Sequence, residues 1–182
     1  MYERRVDKTI MSEFIPVLTK EEIEIQVRRI AQVISADYKD RELILIGILK
    51  GAFIFLSDLI RQLTIPVKVD FMCASSYGDR TASSGRIKLS KDVEIEINNK
   101  DVLIVEDIVD TGLTLSYLVD YLKSSGAASV RICALIDKRE RREADVTVDY
   151  ACHTVDKGFL VGYGLDYAEF YRNLPEVYHL KL

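Results

Sequence analysis

The chain contains, at residues 102–115, the sequence Val102-Leu103-Ile104-Val105-Glu106-Asp107-Ile108-Val109-Asp110-Thr111-Gly112-Leu113-Thr114-Leu115. The four apolar residues at its start predict a buried strand, and two carboxylates follow where that strand is expected to end. A short loop then leads into a predicted helix. In an open α/β sheet, ligands bind beyond the carboxyl ends of the strands. We therefore expect this stretch to form both the centre of the fold and a ligand site.

The loop at residues 110–114 has the chemistry of an anion site. Gly112 lets the backbone approach a ligand closely, and Thr111 and Thr114 offer hydroxyl groups. The N–H groups at the start of a helix favour an anion by hydrogen bonding and by the helix dipole. In the alternative interpretation, Asp110 and Thr111 only cap the helix. The acidic pair directly before the loop favours a phosphate on the loop and a polyhydroxylated or metal-bound group at the pair.

The flanking sequence predicts alternating helices and strands. Thr19 and Glu22 have the spacing of a capping box, which places a helix at residues 20–36. Further helices are predicted at 52–63 and 113–124, strands at 43–49, 67–74, 101–105 and 130–136, and a hairpin from 86–89 and 93–97. This alternation predicts an α/β fold with an open, mainly parallel twisted sheet flanked by helices.

Composition excludes several classes of protein. A length of 182 residues predicts one domain, and 25 basic against 29 acidic side chains give a charge of −4, which disfavours a broad nucleic-acid-binding face. No apolar run is long enough to span a membrane, and the first residues do not have the pattern of a secretory signal. Cys73, Cys133 and Cys152 lie among apolar residues and are interpreted as reduced thiols, which predicts a cytoplasmic protein.

Residues 102–115 resemble the phosphoribosyl pyrophosphate signature of the type I phosphoribosyltransferases. Further segments resemble the hypoxanthine (hypoxanthine-guanine) branch of that family, and the likeness extends from about residue 11 to the C-terminus in the family's order. These segments are Gly47-Ile48-Leu49-Lys50-Gly51-Ala52-Phe53, Ser75-Ser76-Tyr77-Gly78, Asp137-Lys138-Arg139, Val161-Gly162-Tyr163-Gly164-Leu165-Asp166-Tyr167 and Tyr171-Arg172-Asn173-Leu174-Pro175.

The resemblance implies one domain over residues 1–182 with the type I phosphoribosyltransferase fold. Its core would span about 20–155, a small hood lobe would combine about 1–18 with 156–182, and a mobile closing loop would cover about 75–85. Composition alone also allows a merely disordered hairpin connection at the loop, which is rich in Ser, Gly and Thr. Ser76 and Tyr77 would lie at the recognisable start of the closing loop and limit hydrolysis on closure.

The resemblance implies transfer of the 5-phosphoribosyl group from phosphoribosyl pyrophosphate to N9 of hypoxanthine or guanine, giving IMP or GMP and pyrophosphate. Glu106 and Asp107 would bind the ribose hydroxyls and their associated Mg²⁺. Asp110, Thr111, Gly112, Leu113 and Thr114 would bind the 5′-phosphate, and Asp110 would also act as the general base at purine N7.

Lysines at the ends of two strands complete the implied phosphate and base sites. Lys50 and Gly51 would bind pyrophosphate, often after a cis peptide bond, although a lysine after an apolar strand could also extend to solvent. Lys138 would donate to the 6-oxo group and so select hypoxanthine and guanine against adenine. Taken alone, it would more simply belong to a solvated charge cluster.

Residues near the C-terminus would close the site. Phe159 would stack on the purine and Leu160 would contact its edge through the backbone, although such a pair is usually part of a core. Asp166 would bind a second Mg²⁺ shared with pyrophosphate, and Arg172 would bind pyrophosphate through its planar guanidinium. Gly158 departs from the family pattern before the stacking aromatic and leaves the preference between hypoxanthine and guanine open.

Two other functions fit the same sequence less well. An RNA-binding transcription attenuation regulator on the same scaffold would need a basic face, which a charge of −4 disfavours. A non-catalytic nucleotide-binding domain would not need Asp110, Lys138, Asp166 and Arg172 together. The enzyme interpretation therefore stands first, with no nucleic-acid or membrane partner expected and with a homodimer or homotetramer implied by the resemblance.

Overall fold

The computed structural model describes residues 13–77 and 86–181, except for the side chains of 75–77 and 86. It contains nine strands and three helices in these residues. The strands are β1 (Glu13–Leu18), β2 (Leu43–Leu49), β3 (Val67–Tyr77), β4 (Arg86–Lys91), β5 (Asp101–Val109), β6 (Ser129–Lys138), β7 (Tyr150–Val155), β8 (Leu160–Val161) and β9 (Val177–Lys181). The helices are α1 (Lys20–Asp37), α2 (Phe53–Gln62) and α3 (Leu113–Ser124).

Six strands form the main sheet in the order β4-β3-β2-β5-β6-β7. All neighbouring pairs are parallel except β3 and β4, which pair antiparallel. The parallel strands end at one edge, where β2 leads towards α2 and β5 leads towards α3. The predicted open, mainly parallel sheet flanked by helices is confirmed, and its central strands bring two predicted ligand loops side by side.

The main sheet is buried on both faces, as the uniformly apolar β2 predicts. Leu43 and Leu45 contact a core cluster that includes α1 and α2, whereas Ile44 and Ile46 contact a second cluster that includes α3. Successive residues of a strand point to opposite faces, so β2 contributes to both clusters. None of the described helices is long and apolar enough to cross a membrane.

Helix α1 begins at the predicted capping box. The Glu22 N–H donates to Thr19 Oγ1 at 3.2 Å, and the Thr19 N–H donates to Glu22 Oε2 at 2.9 Å. Each side chain satisfies a backbone N–H that the helix itself leaves without a partner. The buried residues of the helix include Ile23, Val27 and Ile34, which recur at helical spacing and so lie on one face.

A second, three-stranded antiparallel sheet forms the hood lobe, in the order β1-β9-β8. Phe14 of β1 pairs with Leu180 of β9, and Leu160 of β8 pairs with His179 of β9. The hood therefore joins segments from both ends of the chain, as predicted. It brings β8 towards the edge where the parallel strands end.

Two predictions about the region after β3 were wrong. Residues 93–97 do not form the second strand of a hairpin; β4 pairs instead with β3. The N–H groups of Glu94 and Ile95 donate to the carboxylate of Asp70 at 2.7 and 3.2 Å, so they are not available to a neighbouring strand. β3 also ends later than predicted, at Tyr77 instead of residue 74; residues 78–85 of the predicted closing loop lie outside the described part of the chain.

Candidate active site

A cavity of about 340 Å³ lies at the edge where β2 and β5 end. Most of the predicted phosphate, ribose and metal residues line it. They are Lys50, Gly51, Glu106, Asp107, Asp110, Thr111, Gly112, Thr114, Asp166 and Arg172. A larger groove of about 960 Å³ lies elsewhere, lined in part by residues 39–42 and 64–68, and contains none of these side chains.

Glu106 and Asp107 lie within β5, which continues to Val109. The prediction that the strand ends before the carboxylates was therefore wrong, and both side chains face a strongly desolvated environment. Burial raises the pKa of Glu106 well above its ordinary value, and the neighbouring charge of Asp107 adds to this effect. Burial also raises the pKa of Asp107, although hydrogen bonds and the charge of Arg172 oppose it. A cation or hydroxyl donors would relieve both effects.

The loop before α3 presents free backbone donors to the cavity. Gly112 is the N-cap with φ of 80°, and it has no side chain to cap the helix. Asp110 makes no hydrogen bond to the helix start, whereas Thr111 Oγ1 accepts the Leu113 N–H at 3.4 Å, so the interpretation of the two residues as caps holds only for Thr111. The Thr111 carbonyl accepts hydrogen bonds from the N–H groups of Glu143 and Ala144 at 2.9 and 3.0 Å, which fix the turn from behind. Leu113, the first helical residue, is half-exposed. The uncapped helix start can bind an anion.

Asp110 and Lys138 meet beside this loop. Lys138 is buried at the end of β6, and its Nζ lies 3.5 Å from Asp110 Oδ1 and 3.8 Å from Glu140 Oε2. Asp110 Oδ1 is itself buried and makes no hydrogen bond of good geometry. The simpler interpretation of Lys138 as part of a solvated cluster is wrong, because the side chain points inward between two carboxylates. The pair can accept a proton and donate a hydrogen bond on one side of a ligand.

The turn after β2 is packed too closely for any side chain at Gly51. A Cβ there would lie 1.7 Å from Asp107 Oδ2, and a Cβ on Gly164 would lie 2.1 Å from the Gly51 carbonyl oxygen. The Leu49–Lys50 peptide bond is cis, as the resemblance implies. The Lys50 Nζ binds Glu169 Oε2 at 3.0 Å, although both side chains remain largely exposed.

Arg172 connects the C-terminal segment to the same cavity. Its NH1 donates to the Gly164 carbonyl at 2.7 Å, and its NH2 lies 2.7 Å from Asp166 Oδ1 and 3.4 Å from Glu169 Oε2. The buried Nε has no partner among the described residues. Asp166 also accepts the Glu169 N–H at 2.8 Å. Two cations, Lys50 and Arg172, therefore flank the cavity with Glu169 between them.

Phe159 and Leu160 lie outside the cavity lining. Phe159 is half-exposed and packs edge-on against Tyr167 with ring centres 5.7 Å apart, whereas Leu160 is buried in β8. Gly158 has φ of 110°, and a Cβ there would lie 2.4 Å from His179 Nδ1. The Gly158 N–H donates to Glu140 Oε2 at 3.3 Å, so Glu140 links the start of this segment to Lys138. The half-exposed ring of Phe159 follows Gly158, which Glu140 connects to Lys138, and it can stack on a flat ligand.

The backbones of Ser76 and Tyr77 lie at the end of β3, paired with Ile87 and Arg86. Their side chains are outside the described part of the structure. The prediction that they begin a closing loop therefore stays a prediction.

Sequence reasoning missed three charged residues that organise the site. Arg142 donates to the carbonyls of Val109, Asp110 and Lys138, while Glu140 and Glu169 each contact a predicted ligand-binding lysine. All three residues lie in segments of mixed charge, where nothing distinguishes an inward side chain from a solvated one. Only their contacts with distant residues identify them.

Comparison with known proteins identifies the family that this chain resembles. Residues 17–168 match the family described as a phosphoribosyl transferase domain. The hypoxanthine-guanine phosphoribosyltransferase of Streptococcus mutans is 44% identical over 181 residues, covering 100% of this chain and 97% of the relative, and that of Bacillus subtilis is 42% identical with the same coverage. A crystal structure of a hypoxanthine phosphoribosyltransferase from Staphylococcus aureus superposes with a TM-score of 0.88 at 42% identity, covering 91% of this chain and 90% of that one. The chain belongs to the phosphoribosyltransferase family, in its hypoxanthine-guanine branch.

Proposed function

We propose that this enzyme transfers the 5-phosphoribosyl group from phosphoribosyl pyrophosphate to N9 of hypoxanthine or guanine, releasing pyrophosphate and forming IMP or GMP. The names of its relatives support this reaction. The observation that carries it is the meeting of an uncapped helix start with a buried acidic pair at one edge of the sheet. The first feature suits a phosphate and the second suits ribose hydroxyls with a cation. No relative supports the RNA-binding alternative.

The 5′-phosphate would bind the N–H groups and hydroxyls of the loop from Thr111 to Thr114. Gly112 adopts a positive φ, and a Cβ there would lie 2.8 Å from Val146 Cγ2 behind the loop, so the turn requires glycine. Residues behind the loop hold the Thr111 carbonyl, and the Leu113 N–H makes only a long hydrogen bond of 3.4 Å to Thr111 Oγ1, which a phosphate could replace. Leu113 would contribute its backbone, since its side chain is half-exposed.

Glu106 and Asp107 would hold the ribose hydroxyls and an associated Mg²⁺, and Asp166 would hold a second Mg²⁺ with pyrophosphate. The residues fit this ion, because they supply hard oxygen donors and because burial of two adjacent carboxylates without a cation raises both pKa values. The described residues contain no cluster of three or more ligands that would hold a metal unaided, so water and substrate oxygens would complete the coordination. When bound, Mg²⁺ would neutralise charge on the diphosphate.

Pyrophosphate would bind between Lys50, the Gly51 backbone and Arg172. Glu169 now pairs with both cations, so its carboxylate lies where another anion would be attracted. Arg172 has a buried Nε without a partner among the described residues, which gives its guanidinium unused donor capacity. Bidentate donation to paired phosphate oxygens suits that group.

The purine would lie between Phe159 and the end of β6. Lys138 would donate to the 6-oxo group, and adenine would be rejected because its amino group cannot accept that hydrogen bond. Asp110 would accept the N7 proton as N9 bonds to ribose C1. The contact of 3.5 Å between Asp110 and Lys138 supports these paired roles, since both groups can reach one edge of a purine. Leu160 would contact the base edge through its backbone.

Closure, assembly and location complete the proposal. Ser76 and Tyr77 would begin a loop that closes over the site and excludes water. The enzyme would form a homodimer or homotetramer, which sedimentation would distinguish from a monomer. A cytoplasmic location is supported by the three cysteines, which are all free.

Steady-state assays with phosphoribosyl pyrophosphate, Mg²⁺ and one of hypoxanthine, guanine, xanthine, adenine or uracil test this function. We expect turnover of hypoxanthine and guanine, with formation of IMP and GMP. Turnover of adenine or uracil alone would contradict the role of Lys138. Absence of turnover with every base would refute the proposed reaction.

A further inference from the structure

Arg142 lies behind the proposed site, where β5 and β6 end. Its Nε donates to the Asp110 carbonyl at 3.0 Å, and its NH2 donates to the carbonyls of Val109 and Lys138, both at 3.1 Å. The same NH2 binds the buried Asp137 carboxylate at 2.6 Å. One guanidinium group thus hydrogen-bonds to the backbone at the carboxyl ends of both β5 and β6.

The loop at residues 110–114, which we name the phosphate loop, is supported from the same side by the residues after Arg142. Beyond the two hydrogen bonds to the Thr111 carbonyl, a Cβ on Gly112 would lie 2.8 Å from Val146 Cγ2 and 3.2 Å from Arg142 Cδ. Residues 142–146, which we name the support segment, are therefore in close contact with the loop. NH1 of Arg142 also donates to the Val146 carbonyl at 3.4 Å, so the guanidinium binds its own segment as well as the two strands.

A guanidinium suits this position because it presents five donors in a rigid plane. The acceptors come from β5, β6 and the support segment, so they lie in different directions. An ammonium group could keep the pairing with Asp137, but it is a compact charge on a flexible stem and cannot fix several carbonyls in one geometry. The arrangement therefore depends on arginine and not only on positive charge.

Asp110 and Lys138, two of the residues whose carbonyls Arg142 binds, also meet through their side chains, with Lys138 Nζ 3.5 Å from Asp110 Oδ1. We propose that Arg142 is a positioning residue, which fixes the phosphate loop and Asp110 at a set distance from Lys138. The spacing between the 5′-phosphate and base subsites would then match the two ends of one nucleotide. This inference rests on the proposed function. Pyrophosphate would bind away from these contacts, beside Lys50 and Arg172.

Arg142→Lys tests the proposal, with Arg139→Lys as the matched control. Arg139 contacts the same Asp137 carboxylate at 3.4 Å, but its side chain is 70% exposed and makes no hydrogen bond or salt bridge with residues 110–114 among the described residues. IMP binding to the free enzyme is measured by calorimetry, and pyrophosphate binding by product inhibition. We expect Arg142→Lys to weaken IMP binding and to lower kcat/KM by about 10–10²-fold. Pyrophosphate inhibition should stay within about twofold of the parent enzyme.

The control variant should keep all three quantities within about twofold of the parent enzyme. If Arg142→Lys weakens IMP and pyrophosphate binding equally, Arg142 has only a general structural role and the proposal is overturned. Unchanged IMP binding in the folded variant also overturns it. A parent enzyme that neither transfers phosphoribose nor binds IMP would instead refute the proposed function.

A second variant covers the case in which Arg142→Lys does not fold. Asp137→Asn combined with Arg142→Gln removes both charges, so no unpaired carboxylate stays buried. Thermal unfolding monitored by circular dichroism establishes that this variant is folded. We expect the same selective loss of IMP binding, and retention of parental IMP affinity would contradict the positioning role.

Discussion

Asp70 and Glu106 are carboxylates of the same sheet with nearly equal exposure, 8% and 9%, yet their pKa values move in opposite directions. Burial alone would raise the pKa of Asp70, but hydrogen bonds from the N–H groups of Glu94, Phe71 and Ile95 and from Lys91 outweigh it and lower the pKa. Glu106 has Asp107 as its neighbour, so burial and repulsion act together and raise its pKa. The hydrogen-bonding partners and neighbouring charges, and not the depth of burial, therefore decide whether the pKa of each carboxylate is lowered or raised.

The difference separates a structural carboxylate from a pair of carboxylates that we propose to bind a ligand. Asp70 has its hydrogen-bonding capacity filled by protein groups and fixes residues 91–95 against β3. Glu106 and Asp107 form no salt bridge with a described residue, although the charge of Arg172 acts on Asp107, and both line the cavity. The fold stabilises the first charge and leaves the second pair to be stabilised by what binds there.

The largest expected effect is on Asp110, the ligand-side carboxylate proposed to accept a proton. Asp110→Asn keeps the size of the side chain but removes its basicity, and should lower kcat by about 10²–10⁴-fold. Steady-state kinetics with hypoxanthine measures this change, and circular dichroism checks the fold. An unchanged kcat would remove Asp110 from that role.

Neutralising Glu106 or Asp107 should lower the activity and raise the stability of the enzyme. Glu106→Gln or Asp107→Asn should lower kcat/KM for phosphoribosyl pyrophosphate at least about tenfold, since an oxygen ligand with full charge is lost. The same variants should raise the free energy of unfolding by on the order of 1 kcal/mol, because a buried repulsion disappears. Urea unfolding and kinetics test both parts, and a fall in stability would contradict this interpretation. Asp120→Asn, at an exposed carboxylate of α3 outside the cavity lining, is the control.

Asp70→Asn should have the opposite result. The amide cannot accept all the hydrogen bonds that the carboxylate accepts, so the free energy of unfolding should fall by about 1–3 kcal/mol. The folded enzyme should keep kcat/KM within about twofold of the parent, because Asp70 lies outside the cavity lining. Stability at parental level would show that the cluster around Asp70 contributes little.

The smallest expected effect is the pH dependence of the stability that the Asp70 carboxylate contributes. The pKa of Asp70 in the folded protein lies below its ordinary value of 3.8, so the unfolded chain binds the proton more tightly. The stabilisation is present above about pH 4 and is lost as the pH falls through the folded-state pKa. The stability difference between parent and Asp70→Asn should therefore shrink on acidification. Urea unfolding at a series of pH values measures it, and a difference that grows would contradict the sign.

Local patterns were enough to predict the central elements of the fold. β2 is uniformly apolar and α1 begins at a capping box, so neighbouring residues carry the signal. The end of β5 was missed because Glu106 and Asp107 interrupt the apolar pattern, although the strand continues through them. A buried charge is unfavourable in an ordinary strand, so a pattern based on burial stops at the first carboxylate.

The site was predictable where its residues follow one another and not where it depends on distant partners. The phosphate loop occupies consecutive positions, which a motif can represent. Glu169 reaches Lys50 across 119 residues, and Arg142 reaches Val109 across 33. Such contacts exist only after the sheet has formed, and their charged side chains look like surface residues until then.

The strand order of the hood has a consequence for synthesis of the enzyme. β9 lies between β1 and β8, although it is the last of the three to leave the ribosome. The nascent chain can form its parallel sheet and phosphate loop while β1 and β8 still lack the strand that joins them. The backbone carbonyl of Phe159 accepts the hydrogen bond from the Leu180 N–H only when β9 is in place. The segment proposed to hold the purine is therefore expected to become ordered after the sheet and the proposed phosphate loop have formed.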